Sequence, residues 1–212
     1  MVVEPTVSPA VELLPPRGLI LISGPSRGGK SGWAEHLAHS WSGGVDYLAT
    51  GAAAGSDPNW SERVLAHQQR RPQQWRCHEV GGQLIDHLRE RAQRSTSAGV
   101  SASSASSAVP PLLLIDSLGT WLAWHLEDPP SQWQNRCAQL LEALALQLGP
   151  VLLVVEETGW GVVPATAIGG LFRDRLGALQ QTLMQHCHTA WLVVAGRALN
   201  LTDLSHPVPP SP

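Results

Sequence analysis

A glycine-rich stretch near the start of the chain has the composition of a phosphate-binding loop. Residues Gly24–Ser31, Gly-Pro-Ser-Arg-Gly-Gly-Lys-Ser, match the pattern GxxxxGK(S/T) at every required position. Glycines allow the backbone to turn tightly, so that consecutive N–H groups point at a β-phosphate. In such loops the lysine, here Lys30, contacts the β- and γ-phosphate oxygens, and the last hydroxyl, here Ser31, coordinates Mg²⁺. The stretch predicts a site for GTP or ATP with Mg²⁺, in which Lys30 is catalytic.

The surroundings of this stretch support the same prediction. The apolar run Leu19–Ile22 precedes it and a helical pattern follows, which is the strand–loop–helix order of phosphate-binding loops. The metal ion also needs a carboxylate, and Asp116 ends the apolar run Leu112–Ile115. Glu156 and Glu157 end another apolar run. Only one of them is expected to face the site, because neighbouring side chains of a strand point to opposite faces.

Short apolar runs alternate with longer amphipathic stretches along the chain. The apolar runs are continuous, which is typical of strands buried on both faces of a parallel sheet. The predicted strands are Gly18–Ser23, Val45–Ala49, Leu112–Ile115, Val151–Val155 and Ala190–Ala195, with Trp75–Val80 as an edge strand. The predicted helices are Lys30–Trp41, Asn59–Arg70, Gln83–Arg94, Leu118–Leu126, Gln132–Leu148 and Leu171–His186. This alternation predicts an α/β fold with a doubly wound, mainly parallel sheet and helices on both faces.

Composition delimits the folded part of the chain. With 212 residues, of which 43% are hydrophobic, the chain can form one sizeable domain, predicted at residues 18–201. Residues 1–17 are predicted to be a disordered tail, residues 202–212 a Pro-rich tail, and the Ser/Ala-rich residues 95–111 a flexible insertion. A linker between two domains is the alternative for the insertion. We prefer the insertion because strands and helices alternate in the same way on both sides of it.

Charge, hydropathy and cysteine usage argue against several other classes of protein. The net charge of −3 provides no basic surface for nucleic acid. No apolar run reaches the roughly 18 residues of a membrane span, and the N-terminus does not resemble a secretory signal. Cys77, Cys137 and Cys187 are widely spaced, which suits reduced thiols better than disulfides or a zinc site. We therefore expect a cytoplasmic protein that does not bind nucleic acid.

Four stretches together resemble the adenosylcobinamide kinase / adenosylcobinamide-phosphate guanylyltransferase family of cobalamin biosynthesis. The resemblance extends from about Leu19 to Gly196 and leaves out both tails and the insertion. One departure is Glu156, at a position where the family often has Asn. Beside the phosphate-binding stretch, the segments that carry the resemblance are Tyr47–Gly51 with Arg63–Pro72, Trp75 and Glu79; Leu114–Leu118 with Trp121; and Glu157–Pro164 with Phe172–Gly177.

The resemblance implies a P-loop, RecA-like α/β fold and two reactions. In the first, a nucleoside triphosphate phosphorylates the hydroxyl of the aminopropanol arm of adenosylcobinamide. In the second, GMP passes from GTP to adenosylcobinamide phosphate through a guanylyl-histidine intermediate, and the matching histidine is His67. The resemblance also implies a homo-oligomer, such as a trimer. Whether ATP or GTP serves the kinase step is left open.

His67 has the chemistry that the second reaction needs. A neutral imidazole is a good nucleophile at neutral pH, and its attack on the α-phosphorus of GTP would expel pyrophosphate and leave a labile phosphoramidate. Arg63, Arg70 and Arg71 lie within one or two helical turns of His67 and could neutralise charge on the α-phosphate. From spacing alone, the simpler interpretation is a solvated polar helix face, and the resemblance favours the catalytic role.

The resemblance also assigns residues around the nucleotide. Glu79 is preferred for guanine or ribose, since a carboxylate can accept from both N1–H and the exocyclic amine of guanine. Asp116 is preferred, with Ser31, for Mg²⁺. The complete set expected to bind the nucleotide is Gly24, Pro25, Ser26, Arg27, Gly28, Gly29, Lys30, Ser31, Ala49, Thr50, Gly51, Gln68, Gln69, Arg70, Arg71, Glu79 and Asp116.

Two other functions fit part of the pattern. The first is a simple P-loop kinase that acts on another metabolite, with a purely structural His67. The second is a RecA-like nucleotide-sensing regulatory protein. The arginine-rich segment around His67 argues against the regulator, because a sensor needs no second nucleophile.

Overall fold

The computed structural model describes residues 14–53, 55, 57–101, 109–161 and 164–209. Within them, one seven-stranded sheet has the order β3-β2-β4-β5-β1-β6-β7. Neighbouring strands are parallel except for β6 and β7, which form an antiparallel pair. The strands are β1 (Gly18–Gly24), β2 (Val45–Ala49), β3 (Arg76–Glu79), β4 (Leu112–Asp116), β5 (Pro150–Glu156), β6 (Cys187–Val194) and β7 (Arg197–Asn200).

Helices cover both faces of the sheet. Adjacent residues of one strand belong to different core clusters: Leu113 packs in one cluster with Leu88 and Leu140, whereas Leu114 packs in the other with Leu37. The predicted α/β class, with a doubly wound, mainly parallel sheet and helices on both faces, is therefore confirmed. The helices are α1 (Lys30–His39), α2 (Pro58–Arg70), α3 (Leu84–Ser101), α4 (Leu118–Ala123), α5 (Pro130–Ala145), α6 (Ala167–Met184) and α7 (Leu201–Leu204).

The central strands bring three functional positions to the same edge of the sheet. β5 lies between β1 and β4, with Gly24 in register with Glu156. Asp116 ends β4, one strand further along. Since all these strands are parallel, their carboxyl ends meet at the edge where α/β proteins bind ligands.

The structure differs from the sequence-based expectation at the margins of the domain. Leu14 is buried in the core although it belongs to the predicted tail, because its apolar side chain packs against one face of the sheet. Helix α3 continues to Ser101, past the predicted end at Arg94, so residues 95–101 of the predicted insertion are helical. Residues 102–108 of that insertion and residues 1–13 of the tail lie outside the described residues.

Strand β7 and helix α7 also went unpredicted. β7 folds back on β6 through Ala195 and Gly196, whose φ angles of 51° and 72° are both positive. Helix α7 begins at Leu201, the last residue of the predicted domain, and extends over the first three residues of the predicted Pro-rich tail, 202–212. A strand of four residues is too short for its apolar periodicity to be detected from the sequence.

Candidate active site

The phosphate-binding loop connects β1 to α1 and passes close to the end of β6. Gly24 has a φ of 153° and Gly29 a φ of 106°, which favour glycine. A Cβ atom on Gly24 would overlap the backbone oxygen of Val193, and one on Gly28 would approach that oxygen to 2.6 Å. The Gly196 N–H donates to the Gly28 carbonyl at 3.1 Å. The glycines are therefore needed both for the turn and for its contact with β6.

Lys30 and Ser31 open helix α1, where the helix dipole favours negative charge. Lys30 is buried, and its Nζ donates to the Pro25 carbonyl at 2.8 Å, so the side chain folds back over the loop. Both residues line a cavity of about 860 Å³ at the carboxyl edge of the sheet. This is the geometry expected of a loop that holds the phosphates of a nucleotide.

The same cavity brings together most of the residues that were predicted to form the site. Those that line it are Ser26, Arg27, Gly29, Lys30, Ser31, Ala49, Gly51, His67, Gln68, Arg70, Arg71, Glu79 and Asp116. Gly24, Pro25 and Gly28 do not line the cavity, and they contribute to the site only through the backbone of the loop. Gln69 is exposed on α2 and does not line the cavity.

Thr50 has a different place from the one expected. It is fully buried and does not line the cavity. Its hydroxyl donates to the Ser117 carbonyl at 2.5 Å and accepts from the Ser117 N–H at 2.9 Å. Thr50 therefore fixes the turn after β4, at the end of the strand that carries Asp116.

Of the two adjacent glutamates, Glu156 faces the cavity. Its carboxylate accepts from the Ser117 hydroxyl and from the Gly119 N–H, the latter at 2.9 Å. The Glu157 carboxylate accepts from the Gly159 N–H within its own loop at 3.1 Å. Glu156 thus connects the end of β5 to the beginning of α4, where the helix dipole favours its negative charge.

His67 projects from α2 into the cavity beside Asp116. Its Nδ1 lies 3.6 Å from Oδ2 of Asp116 and 3.4 Å from Nη2 of Arg70. Arg70 in turn lies 3.3 Å from Oε1 of Glu35, on the helix that follows the phosphate-binding loop. The arginine can donate to Nδ1 only when that atom has no proton, whereas the carboxylate needs the proton there. The two contacts of Nδ1 are therefore alternatives.

Tyr47 is a site residue for which the sequence interpretation assigned no role. It is 1% exposed, and its hydroxyl donates to Oδ2 of Asp116 at 2.8 Å. The guanidinium carbon of Arg71 lies 3.9 Å from the centre of the tyrosine ring. A tyrosine within a strand predicted to be buried on both faces was the available signal, because a buried phenol needs a hydrogen-bond partner.

Gln68 and Glu79 form the rim of the cavity. The side-chain amide of Gln68 donates to Oε1 of Glu79 at 3.0 Å, and both residues are exposed. Trp60, on the same helix as Gln68, donates its indole N–H to the Ala52 carbonyl at 2.9 Å and packs against Gly51. This rim offers a carboxylate, an amide and an aromatic ring, all of which suit a nucleobase.

Comparison with known proteins decides the family. A family model described as cobinamide kinase / cobinamide phosphate guanyltransferase matches residues 20–201. This chain belongs to that family. The bifunctional adenosylcobalamin biosynthesis protein CobP of Pseudomonas aeruginosa is 34% identical over 182 residues, which cover 85% of this chain and 95% of CobP. The CobU proteins of Escherichia coli and Salmonella typhimurium are 29% and 30% identical, with 84% of this chain and 96% of each relative covered.

Membership of the cobinamide kinase / cobinamide phosphate guanyltransferase family confirms the predicted enzyme class, a transferase with kinase and guanylyltransferase activities. The relatives support neither the simple metabolite kinase nor the nucleotide-sensing regulator. Among solved structures, an ATPase from the type III secretion system of pathogenic bacteria aligns with a TM-score of 0.45 and 14% identity. That alignment covers 90% of this chain and 59% of the ATPase. Among the residues that the structure describes, no helix combines the length and hydrophobicity of a membrane span.

Proposed function

We propose that Gly24–Ser31 hold the triphosphate for phosphorylation of adenosylcobinamide and that His67 then carries GMP from GTP to adenosylcobinamide phosphate. The observation that supports this proposal is the shared cavity: the phosphate-binding loop and the imidazole line one space of about 860 Å³. A volume of this size accommodates a nucleotide. An imidazole buried in the core or placed on another face would have been incompatible with the two-step reaction.

In the kinase step, the loop amides and Lys30 would hold the β- and γ-phosphates. The hydroxyl oxygen of the aminopropanol arm attacks the γ-phosphorus, the bond from the γ-phosphorus to the β–γ bridging oxygen breaks, and a nucleoside diphosphate leaves. The hydroxyl proton passes to solvent or to a cavity carboxylate. Lys30 favours this step because its charge offsets the charge that develops on the phosphate oxygens.

In the guanylyl step, Nε2 of His67 would attack the α-phosphorus of GTP and expel pyrophosphate. The Nδ1 proton then faces Asp116, whose carboxylate stabilises the charge on the ring. Arg71 lines the same cavity, where its guanidinium would offset charge on the α-phosphate. Attack by the phosphate of adenosylcobinamide phosphate on the same phosphorus restores His67 and forms the GDP-linked product.

Mg²⁺ fits this cavity by the chemistry of its donors. The Ser31 hydroxyl and the Asp116 carboxylate both line it, and these are oxygen ligands of the kind that Mg²⁺ prefers. Among the described residues, no group of three or more His, Cys, Asp or Glu side chains could hold a metal ion. When bound, the ion would neutralise charge on the phosphates of the nucleotide. A homo-oligomer, such as a trimer, and a cytoplasmic location remain predictions from the sequence.

Mass analysis of the corrinoid product tests the proposal. Purified protein is incubated with adenosylcobinamide, Mg²⁺ and either GTP or ATP. With GTP, the wild-type product should gain the mass of a GDP group, whereas His67→Asn should stop at a gain of one phosphate. Lys30→Ala should yield neither product in quantity, and Gln69→Ala, an exposed change on the same helix, serves as the matched control. Complete guanylyl transfer by His67→Asn would contradict the role of His67.

A further inference from the structure

We propose that Tyr47 is a positioning residue for guanylyl transfer: its hydroxyl holds the Asp116 carboxylate in the orientation that places the proton of His67 on Nδ1. This inference rests on the proposed role of His67. It assigns no contact between Tyr47 and the substrate, and the tyrosine acts only through Asp116.

Strand register brings the two side chains together. Tyr47 and Ala49 lie on β2, where Ala49 is in register with Asp116 of β4. Since every second residue of a strand points to the same face, Tyr47 lies on the same face as Ala49, two residues before it. The tyrosine side chain is long enough to reach Asp116, and its hydroxyl donates to Oδ2 at 2.8 Å, which is an ordinary hydrogen bond.

The same carboxylate oxygen faces the histidine. Oδ2 of Asp116 lies 2.8 Å from the Tyr47 hydroxyl and 3.6 Å from Nδ1 of His67. The Asp116 side chain is 10% exposed and that of His67 is 22% exposed, so water screens this contact only in part. A distance of 3.6 Å is longer than a hydrogen bond, and contacts of this kind tighten when the substrate binds.

Arg70 makes the orientation of Asp116 important. If Nδ1 accepts from Arg70, at 3.4 Å, the ring proton must be on Nε2, and Nε2 then has no lone pair for attack. If Nδ1 donates to Asp116, the lone pair is on Nε2. A carboxylate held close to Nδ1 favours the second tautomer, and the bond from Tyr47 prevents Oδ2 from turning away.

The surroundings of Tyr47 keep it in place as a donor. Burial, and next the charge of Asp116, raise the pKa of Tyr47, so the phenol keeps its proton at physiological pH. The ring is covered by Arg71 at 3.9 Å and stacks with Trp75 at a centroid distance of 6.4 Å. The protein therefore fixes the ring independently of the hydroxyl, and Tyr47→Phe removes the hydrogen bond while the packing stays.

The test compares the two half-reactions of Tyr47→Phe. Single-turnover guanylylation of His67 by GTP should slow by about five- to tenfold, the usual loss for one hydrogen bond, with an unchanged dissociation constant for GTP. The rate of adenosylcobinamide phosphorylation, in which His67 takes no part, should fall by a smaller factor. Equal losses in the two reactions, or guanylylation at the wild-type rate, would overturn the inference.

A double-mutant cycle with Asp116→Asn shows whether Tyr47→Phe slows guanylylation through Asp116. If Tyr47 acts only through Asp116, Tyr47→Phe should cause no further loss in the Asp116→Asn background, whereas independent effects would multiply. Imidazole ¹⁵N NMR should show the Nδ1–H tautomer of His67 in the wild type and a larger share of Nε2–H in Asp116→Asn, a measurement that needs no Tyr47 variant. If wild-type His67 carries no GMP after incubation with GTP, the proposed function itself is refuted.

Discussion

Two aspartates on neighbouring strands of the sheet have very different surroundings. Asp46 lies near the start of β2 and accepts from Arg76 at 2.6 Å and from Arg91 at 2.9 Å. Asp116 ends β4 at the opposite edge, where it accepts one hydrogen bond from Tyr47 at 2.8 Å and has His67 at 3.6 Å. Both side chains are about 10% exposed. Burial alone therefore does not distinguish them.

The difference lies in how completely each group is satisfied. Beside Asp46, Arg91 also donates to Gln147 at 2.7 Å and to the Pro111 carbonyl at 3.0 Å, and the Gln147 amide donates to two backbone carbonyls. Around Asp116, the side chains border an open cavity, and the contacts of His67 are longer, at 3.6 Å to Asp116 and 3.4 Å to Arg70. A closed network stabilises the fold, whereas an incompletely satisfied one has groups available for a ligand.

The largest effect should follow from Asp46→Ala. Removal of the carboxylate leaves the buried Arg91 guanidinium without the negative charge that neutralises it, which costs about 3–5 kcal/mol of the free energy of unfolding. Chemical denaturation measures this loss, and the activity per folded molecule should be unchanged. A loss below about 1 kcal/mol would show that this network contributes no more than an exposed ion pair.

Asp116→Asn should have the opposite outcome. Guanylyl transfer should fall by about 100-fold or more, because an amide does not favour the Nδ1–H tautomer of His67 as a carboxylate does. The free energy of unfolding should change by less than about 1 kcal/mol, since the amide still accepts from Tyr47. Stopped-flow guanylylation and chemical denaturation measure the two quantities. A stability loss as large as that of Asp46→Ala would remove the contrast between the two edges.

Glu156→Gln should have an intermediate effect on activity. The change weakens the bonds from the Ser117 hydroxyl and the Gly119 N–H, so the turn that carries Asp116 is held less firmly. Both half-reactions should slow by about tenfold, the loss expected when a hydrogen bond to a charged group is weakened. Glu157→Gln is the matched control, because that carboxylate faces its own loop. Equal effects of the two variants would contradict the assignment of Glu156 to the site.

The smallest effect concerns acid stability. Burial opposes ionisation of Asp46, but the bonds and charges of Arg76 and Arg91 prevail and hold its pKa below the ordinary value of 3.8. Between the two pKa values the unfolded chain binds the proton and the folded chain does not. The contribution of ionised Asp46 to the free energy of unfolding is thus complete above pH 3.8 and is lost as the pH falls through the pKa of the folded state. The melting temperatures of wild type and Asp46→Asn should converge in this acid range. A constant difference between the two melting temperatures would contradict the prediction.

The parts of the site that could be predicted from the sequence are those whose chemistry is local. Gly24–Ser31 form a phosphate-binding loop through their own backbone, and the apolar run before Asp116 predicts a strand that ends in an acid. Thr50 was expected to line the nucleotide pocket because of the family resemblance, and its bond to Ser117, in the turn after β4, is not visible in the sequence.

The features that the sequence left open or missed depend on tertiary contacts. Tyr47 is significant because of the strand that lies beside it, and the choice between Glu156 and Glu157 depends on the helix that Glu156 caps. In the same way, the burial of Leu14 depends on the sheet face against which it packs. Such pairings involve residues far apart in the chain, and strand and helix periodicity carry no information about them.

Site-mapped labelling with [α-³²P]GTP tests most directly whether the phosphate-binding loop and His67 act on one nucleotide. The protein is incubated with labelled GTP and Mg²⁺ without a corrinoid, denatured and digested. The account predicts acid-labile label on the peptide that contains His67, its absence in His67→Asn and Lys30→Ala, and its retention in Gln69→Ala. Label on another residue, or persistent label in His67→Asn, would contradict the account.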